Sequence, residues 1–285
     1  MEYEKYNQRI LKLLALYLND YSDMIKEKEV NKITSLGLSQ EEAVAILLAT
    51  YLDLDINDNL EDKTLYNEYI KNIIKLEKID DYINNPYYQE VKLNYKKYQN
   101  WEIKKDHYQA YQLFVSNDME RIDGKIIPHL AYFDKTFKFD SIYQNNRLWM
   151  SITPNEINTM QKDIDDAFGN VCTVGLGMGY FAYMCARKEN VKKVKIIELD
   201  KDVIALFKKE ILSKFEKKIQ EKIEIINMDA YVYLNTRIDD DYIFVDIYHD
   251  VSDGLPVYKK MKEIEKRHPN IIWRYWIEKT IKLYL

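Results

Sequence analysis

Apolar residues recur along this chain in two different rhythms. Over the first 120 residues the spacing is helical: Ile10, Leu11, Leu13, Leu14, Leu16 and Tyr17 fall on one face of a first segment. LSQEEAVAILLATYL (38–52) opens on Ser39 with Glu42 three residues later, a capping box ahead of an amphipathic helix. LYNEYIKNIIKLEKIDDYI and the tyrosine-rich run to about residue 115 carry the same period, so 1–120 reads as a helical N-terminal region. The pattern changes in IDGKIIPHLAYFDKTFKFDSI (122–142). Asp123-Gly124 signals a turn and KTFKFDSI alternates apolar with polar, which predicts a short β-hairpin segment within 121–165. That segment leads into a helix start in RLWMSITPNEINTMQKDI, with Thr153, Pro154 and Glu156 at N-cap, N1 and N3. Asn155 and Glu156 are also placed to face a ligand, although the cap alone accounts for them.

From 166 to 285 the rhythm is strand, loop, helix, strand. VCTVG, VKIIELD, IEIINMD, YIFVDIY and NIIWRYW read as strands; YFAYMCARK, KDVIALFKKEILSKF and GLPVYKKMKEIEKRH read as the helices between them. Short, continuously apolar strands alternating with helices predict parallel βαβ units, hence an α/β fold with a doubly wound sheet. Ligands in such sheets bind beyond the carboxyl ends of the strands, where the strand order reverses.

Composition narrows the function classes. The net charge is −5 with 31% charged residues, and the basic excess of a nucleic-acid surface is missing. KKEILSKFEKKIQEK (208–222) mixes its signs as a solvated helix face does. No apolar run approaches the ~18 residues of a membrane span and MEYEKYNQRI has no apolar signal core, so neither a membrane nor export is expected. Two cysteines, Cys172 and Cys185, in apolar surroundings suit a reduced, cytoplasmic protein. His107, His129 and His268 show no ligand spacing with cysteines or carboxylates, and no metal site is expected.

Three of the chain's seven glycines, Gly175, Gly177 and Gly179, alternate in VCTVGLGMGY at the end of the first of these strands. Such a run suggests a backbone held close to something. The spacing differs from the dinucleotide fingerprint G-x-G-x-x-G, because Tyr180 stands where its third glycine would be. Acids end the next strands. Glu198 is suited to ribose hydroxyls, Asp229 to an adenine amino group, and Asp246 lies near the end of the fourth strand. All three should converge on one rim.

Residues 168–250 resemble the cofactor-binding half of class I S-adenosylmethionine-dependent methyltransferases, especially the branch that includes the spermidine synthases. VCTVGLGMGYFAYM is similar to that family's first motif, KVKIIELDKDVI to its ribose-binding strand, IEIINMDAYVYL to its adenine-contact strand, and IDDDYIFVDIYHD to the strand carrying the reactive-centre acid. The resemblance implies a Rossmann-like sheet and S-adenosylmethionine as cofactor. It places Gly175, Gly177 and Gly179 near the methionine moiety, Glu198 on the ribose and Asp229 on the adenine. Departures are visible: Thr173 stands where many methyltransferases carry an acid, and Met178 replaces the loop aspartate with which spermidine synthases bind their amine. Few residues follow NIIWRYW, so the N-terminal 150 residues are expected to supply the substrate lid.

Asp246, Tyr248, His249 and Asp250 form the densest remaining polar cluster. Methyl transfer is an in-line displacement governed by positioning, with a base needed only for a protonated acceptor. Asp246 and His249 are the expected catalytic pair, His having an unperturbed pKa of ~6.5; Tyr248 and Asp250 are expected at the substrate. Surface or capping roles compete for His249, Asp250 and Asp253, the last favoured as a cap of the following helix. Asp239, Asp240 and Asp241 read as a solvated turn at the wrong end of the sheet. Trp149, Tyr143, Phe137 and Tyr132 suit either an aromatic lid or a core. The expected activity is methyl transfer to a small-molecule acceptor, with a homo-oligomer compatible. Aminopropyl transfer from the decarboxylated cofactor, a non-catalytic S-adenosylmethionine-binding interaction module, and a nicotinamide enzyme are the alternatives.

Overall fold

A computed structural model describes residues 3–98, 100–236 and 238–285. The chain runs through α1 (Glu4–Asp20), α2 (Glu27–Thr34), α3 (Gln40–Tyr51), α4 (Leu60–Leu65), a π-helical turn (Tyr66–Ile70), α5 (Lys71–Ile73), β1 (Ile74–Leu76), α6 (Ile79–Ile83) and α7 (Pro86–Glu90). Six strands follow: β2 (Lys96–Tyr98), β3 (Trp101–Tyr108), β4 (Phe114–Ile122), β5 (Lys125–Tyr132), β6 (Phe137–Gln144) and β7 (Arg147–Ser151). Then come α8 (Pro154–Asp166), β8 (Gly169–Val174), α9 (Tyr180–Ala186), β9 (Val191–Glu198), α10 (Lys201–Glu210), α11 (Lys217–Gln220) and β10 (Ile223–Asn227). The last elements are α12 (Ala230–Leu234), β11 (Tyr242–Val245), α13 (Val251–Glu265), β12 (Ile272–Tyr275) and α14 (Glu278–Lys282). No helix among the described residues is long and apolar enough to cross a membrane.

Two units divide these elements: residues up to Tyr82 with Asp106–Phe139, and Ile83–Lys105 with Asp140–Leu285. In the first unit the helical face read from the sequence is buried, with Ile10, Leu14 and Tyr17 in one cluster with Val44, Leu48, Tyr69 and Leu130. The capping box of α3 is formed in both directions, Ser39 Oγ accepting from Glu42 N–H at 3.1 Å and Glu42 Oε2 from Ser39 N–H at 3.1 Å. A small sheet of order β1-β5-β4 completes this unit. The predicted Asp123-Gly124 turn joins β4 to β5, both residues at positive φ (49° and 84°), as a two-residue hairpin of the primed type requires. The tyrosine-rich run expected to stay helical to about 115 instead contains β2, β3 and the start of β4. Trp101 and Ile103 are buried with less buried residues between them, a period of two hidden among aromatics.

The second unit holds a five-stranded sheet of order β10-β9-β8-β11-β12, every neighbouring pair parallel. From β8 the chain steps outward to β9 and β10, then returns to β8's other side for β11 and β12. The order therefore reverses between β8 and β11, and their carboxyl ends open the crevice where doubly wound folds bind ligands. Tyr242, Ile243, Phe244 and Val245 are all buried, as a central strand covered on both faces demands. β7, the edge strand of a four-stranded sheet of order β2-β3-β6-β7, and α8 also belong to this unit.

Candidate functional site

The glycine loop leaves β8 at the crevice. Gly175, Gly177 and Gly179 all have positive φ (103°, 49° and 75°), a region that penalises side chains. Their neighbours are supplied by the chain itself. A Cβ on Gly175 would lie 1.9 Å from the Asp246 carbonyl oxygen, one on Gly179 2.3 Å from the Phe207 ring, and one on Gly177 3.3 Å from Met150 Cε. The first contact matters most here, because it brings β11's end against the loop; Asp246 N–H donates to Val174 O at 2.8 Å. Met178 is buried, its carbonyl accepting from the Tyr87 hydroxyl at 2.6 Å.

Beyond the strand ends lies a cavity of about 390 Å³, walled by Trp149, Met150, Glu198, Leu199, Met228, Asp229, Ile247, Tyr248 and His249 among others. Its size falls within the ~300–1,000 Å³ of small-molecule sites. Glu198 accepts from Leu176 N–H through Oε2 (3.2 Å) and from Asp200 N–H through Oε1 (2.8 Å). A carboxylate has about four acceptor positions, so two remain for hydroxyl donors. Asp229 is the N-cap of α12, taking Val232 N–H at 3.0 Å, and also faces the cavity. Around these acids the wall is apolar and open: Leu199 is 66% exposed, Met228 and Ile247 37% each. Three exposed apolar side chains beside two strand-end acids suit a flat heterocycle bearing a ribose. A second recess of about 480 Å³, lined by Gln144, Asn145, Arg147, Leu148, Trp149 and His249, shares Trp149 and His249 with the first.

Asp246 is not in the wall of either recess. It is half-buried, and burial pushes its carboxyl up to about 7, with His249 pulling it partly back. Glu156, at N3 of α8, is also half-buried, and its Oε2 is fully enclosed without a hydrogen-bond partner. Burial first, and then the charge of Asp246, hold the Glu156 carboxyl well above its ordinary range. His249 is exposed at the mouth, its Nδ1 3.1 Å from Asp253 Oδ2. Tyr248 also lines the cavity, and its hydroxyl donates to the Trp276 carbonyl. Asp250 is the N-cap of α13, accepting from Ser252 N–H at 2.6 Å, and Asp253 closes the capping box at N3.

The structure thus brings Glu198, Asp229, Tyr248 and His249 to one cavity, with Asp246 beside the loop. It gives the Asp250 carboxylate to a helix cap. Of the four aromatics read as lid or core, only Trp149 walls the cavity, edge-on to Trp101 at 5.5 Å; Phe137 and Tyr132 are buried in the first unit. Asp240, expected in a solvated turn, is instead 5% exposed, 3.0 Å from Lys195 and 2.9 Å from the Tyr233 hydroxyl. Glu156 is the group the sequence left undecided. Its signal was an N3 acid after a Thr-Pro start, equally good as a cap, and the cap is made only by Thr153 Oγ1.

No protein-family model and no curated protein sequence matches the chain. Among solved structures it is similar to the methyltransferase domain of bacterial CtHen1-C (13% identity, 36% of this chain and 59% of that one, TM-score 0.27). It is similar also to spermidine synthase from Thermotoga maritima (13%, 59% and 62%, TM-score 0.30) and to a spermidine synthase in complex with the transition-state analogue AdoDATO (13%, 55% and 57%, TM-score 0.29). Each match spans less than two thirds of the other chain. The fold itself is a Rossmann-like, doubly wound α/β sheet: five parallel strands in the order β10-β9-β8-β11-β12 with a glycine loop at the switch point.

Proposed function

We propose that this chain is a methyltransferase that uses S-adenosylmethionine and acts on a small-molecule acceptor. The observation supporting it is the cavity at the switch point, where Glu198 and Asp229 stand among exposed Leu199, Met228 and Ile247. The fit follows from the donor set: free lone pairs on Glu198 for ribose hydroxyls, Asp229 for an adenine amino group, apolar side chains for the base. Bound there, S-adenosylmethionine supplies an activated methyl group. The residues around it orient and deprotonate the acceptor. Glu198 fastens the loop through Leu176 N–H, so one side chain couples loop geometry to ligand binding. Trp149 and His249, shared by both recesses, mark the passage from cofactor to acceptor. His249 in its Nδ1–H form donates to Asp253, leaving Nε2 to accept a proton.

The test is calorimetric titration with S-adenosylmethionine, S-adenosylhomocysteine and decarboxylated S-adenosylmethionine, on the native protein and on Glu198→Gln. The expected result is binding of the two carboxylated ligands, weakened roughly tenfold or more in the variant, since hydrogen bonds to a charged group are at stake. Preference for the decarboxylated ligand would replace methyl transfer with aminopropyl transfer. Absence of binding by all three would overturn both.

A further inference from the structure

The second recess, of about 480 Å³, differs in chemistry from the first. Glu198 and Asp229 line the first, whereas no acid among the described residues lines the second. Its polar wall is Gln144, Asn145, Arg147 and His249, all able to donate hydrogen bonds. Exposed Leu148 and half-buried Trp149 complete it.

A hairpin fixes this wall. β6 and β7 meet in a two-residue turn, Asn145 and Asn146 both at positive φ (52° and 63°), as a primed turn requires. Asn145 N–H donates to Asn100 O at 2.8 Å, which anchors the turn, and Gln144 pairs directly with Arg147 across the ladder. Ile142 pairs with Met150 and Tyr143 with Leu148, so Trp149 is the extra residue of a β-bulge. The bulge lets consecutive Leu148 and Trp149 share one wall, which regular alternation would divide between two faces. Trp149 is itself held edge-on to Trp101 at 5.5 Å.

Arg147 is the uncommitted cation of this wall. Arg9 pairs with Asp62 and Arg274 with Asp163, while Arg121, Arg187 and Arg267 donate to Gly124 O, the Tyr183 hydroxyl and Asn235 Oδ1. Arg147 has no hydrogen bond or ion pair among the described residues. His249 is engaged by Asp253 at 3.1 Å, and Asp253 is not in the wall. A guanidinium is a planar fork that matches a carboxylate, and one such pair balances one charge with one. A phosphate dianion would leave charge over, because Arg147 is the one permanent cation among the described residues of the wall.

We infer that the second recess binds the carboxylate end of an acceptor with an apolar body, Arg147 pairing the carboxylate and Leu148 and Trp149 covering the body. The inference deepens the proposed transferase reading and rests on it. Arg147 lines the second recess alone, whereas Trp149 and His249 line both, so the carboxylate lies away from the cofactor side. Arg147 is thus a binding residue for the acceptor and not for the cofactor.

The test uses benzoate as probe, with benzyl alcohol, benzylamine and phenyl phosphate as neutral, cationic and dianionic counterparts. Ligand-observed NMR titrations follow each with native protein, Arg147→Gln and Arg147→Lys, with and without S-adenosylhomocysteine. Benzoate should bind more tightly than its neutral and cationic counterparts, and no more weakly than phenyl phosphate. Arg147→Gln should weaken benzoate about fivefold or more, and Arg147→Lys less, because the charge stays and only the fork is lost. High salt should weaken it too, the guanidinium being exposed. S-adenosylhomocysteine should bind both variants as it binds native protein, a readout that structural damage would move. Benzoate that fails to bind, binds no better than benzyl alcohol, or binds Arg147→Gln unchanged would overturn the site. Tighter binding of phenyl phosphate would overturn the carboxylate, and an equal loss of S-adenosylhomocysteine in Arg147→Gln would overturn the acceptor role. S-adenosylhomocysteine titrated alone into native protein separates the two ideas. If it binds while benzoate does not, the transferase reading survives and the carboxylate site falls; if benzoate binds through Arg147 and S-adenosylhomocysteine does not bind, the reverse holds.

Discussion

Just before β11, Asp240 is buried with Lys195 Nζ at 3.0 Å and the Tyr233 hydroxyl at 2.9 Å. Just after β11, Asp246 is half-buried and its charge acts on Glu156, with no lysine or arginine among the described residues acting on either. The two ends of one strand thus carry buried acids under opposite conditions. At the amino end burial pushes the Asp240 carboxyl up as well, but Lys195 and the Tyr233 hydroxyl pull it partly back, and against its own burial Lys195 is held above its usual range by Asp239 and Asp240. At the carboxyl end only the imidazole of His249 acts against burial, pulling Asp246 partly back, and both acids are pushed up. Compensated burial is what folding requires, and uncompensated burial at a strand's carboxyl end points to a ligand.

The largest expected effect comes from removing the compensation. Lys195→Met leaves Asp240 buried without its cation, and loss of one partner of a buried pair costs about 3–5 kcal/mol. Chemical unfolding should show a loss near the lower figure, because the Tyr233 hydroxyl still donates to Asp240. A loss below ~1 kcal/mol would mean that the amino-end acids are no better compensated than the others, and the comparison would collapse.

The opposite sign is expected at the carboxyl end. An acid raised from 3.8 to about 7 binds protons more tightly in the folded than in the unfolded state between those values. Its stabilising contribution is therefore complete below pH 3.8 and is lost as pH rises to about 7; Glu156 extends the decline to higher pH. Asp246→Asn should remove Asp246's own share of that decline, leaving that of Glu156, and stabilise the ligand-free protein at pH 8 by about 1–3 kcal/mol, the usual cost of an unpaired buried polar group. Thermal melts from pH 5 to 8 would record it. Melting curves for native protein and variant that run parallel across this range would show that Asp246 is solvated after all.

Much of this was legible in the sequence, for physical reasons. Central parallel strands are apolar on both faces, so VCTV and YIFV stand out without any periodicity, and strand-end acids follow from them. The glycine alternation was legible as close approach, but the approaching groups turned out to be the Asp246 carbonyl and the Phe207 ring. What failed was information carried by distant segments. Three consecutive aspartates read as solvent-facing, because nothing local announces that Lys195, on β9 two strands away from β11, reaches Asp240. Glu156 could not be decided either: capping is local chemistry, whereas its neighbour Asp246 comes from much further along the chain. The strand β3 was hidden because Trp101 and Tyr108 suit a helix face and a strand face alike.

The smallest effect is the sharpest control on the amino-end cluster itself. Asp239 also pairs with Lys195, but its side chain is 81% exposed whereas that of Asp240 is fully enclosed. The hydrogen bond from Lys195 holds the Asp239 carboxyl below its usual range, so any stability it supplies is present above that range and fades as pH falls. Water screens such a pair, and exposed ion pairs contribute about 0–1 kcal/mol. Asp239→Asn should therefore cost no more than about 0.5 kcal/mol near pH 7 and vanish into experimental error at high salt, while Lys195→Met stays costly in the same salt. Equal losses from the two substitutions would place the stabilising partner of Lys195 at the surface. Burial at this end of the sheet would then be incidental, and the contrast with Asp246 would have to rest on exposure alone.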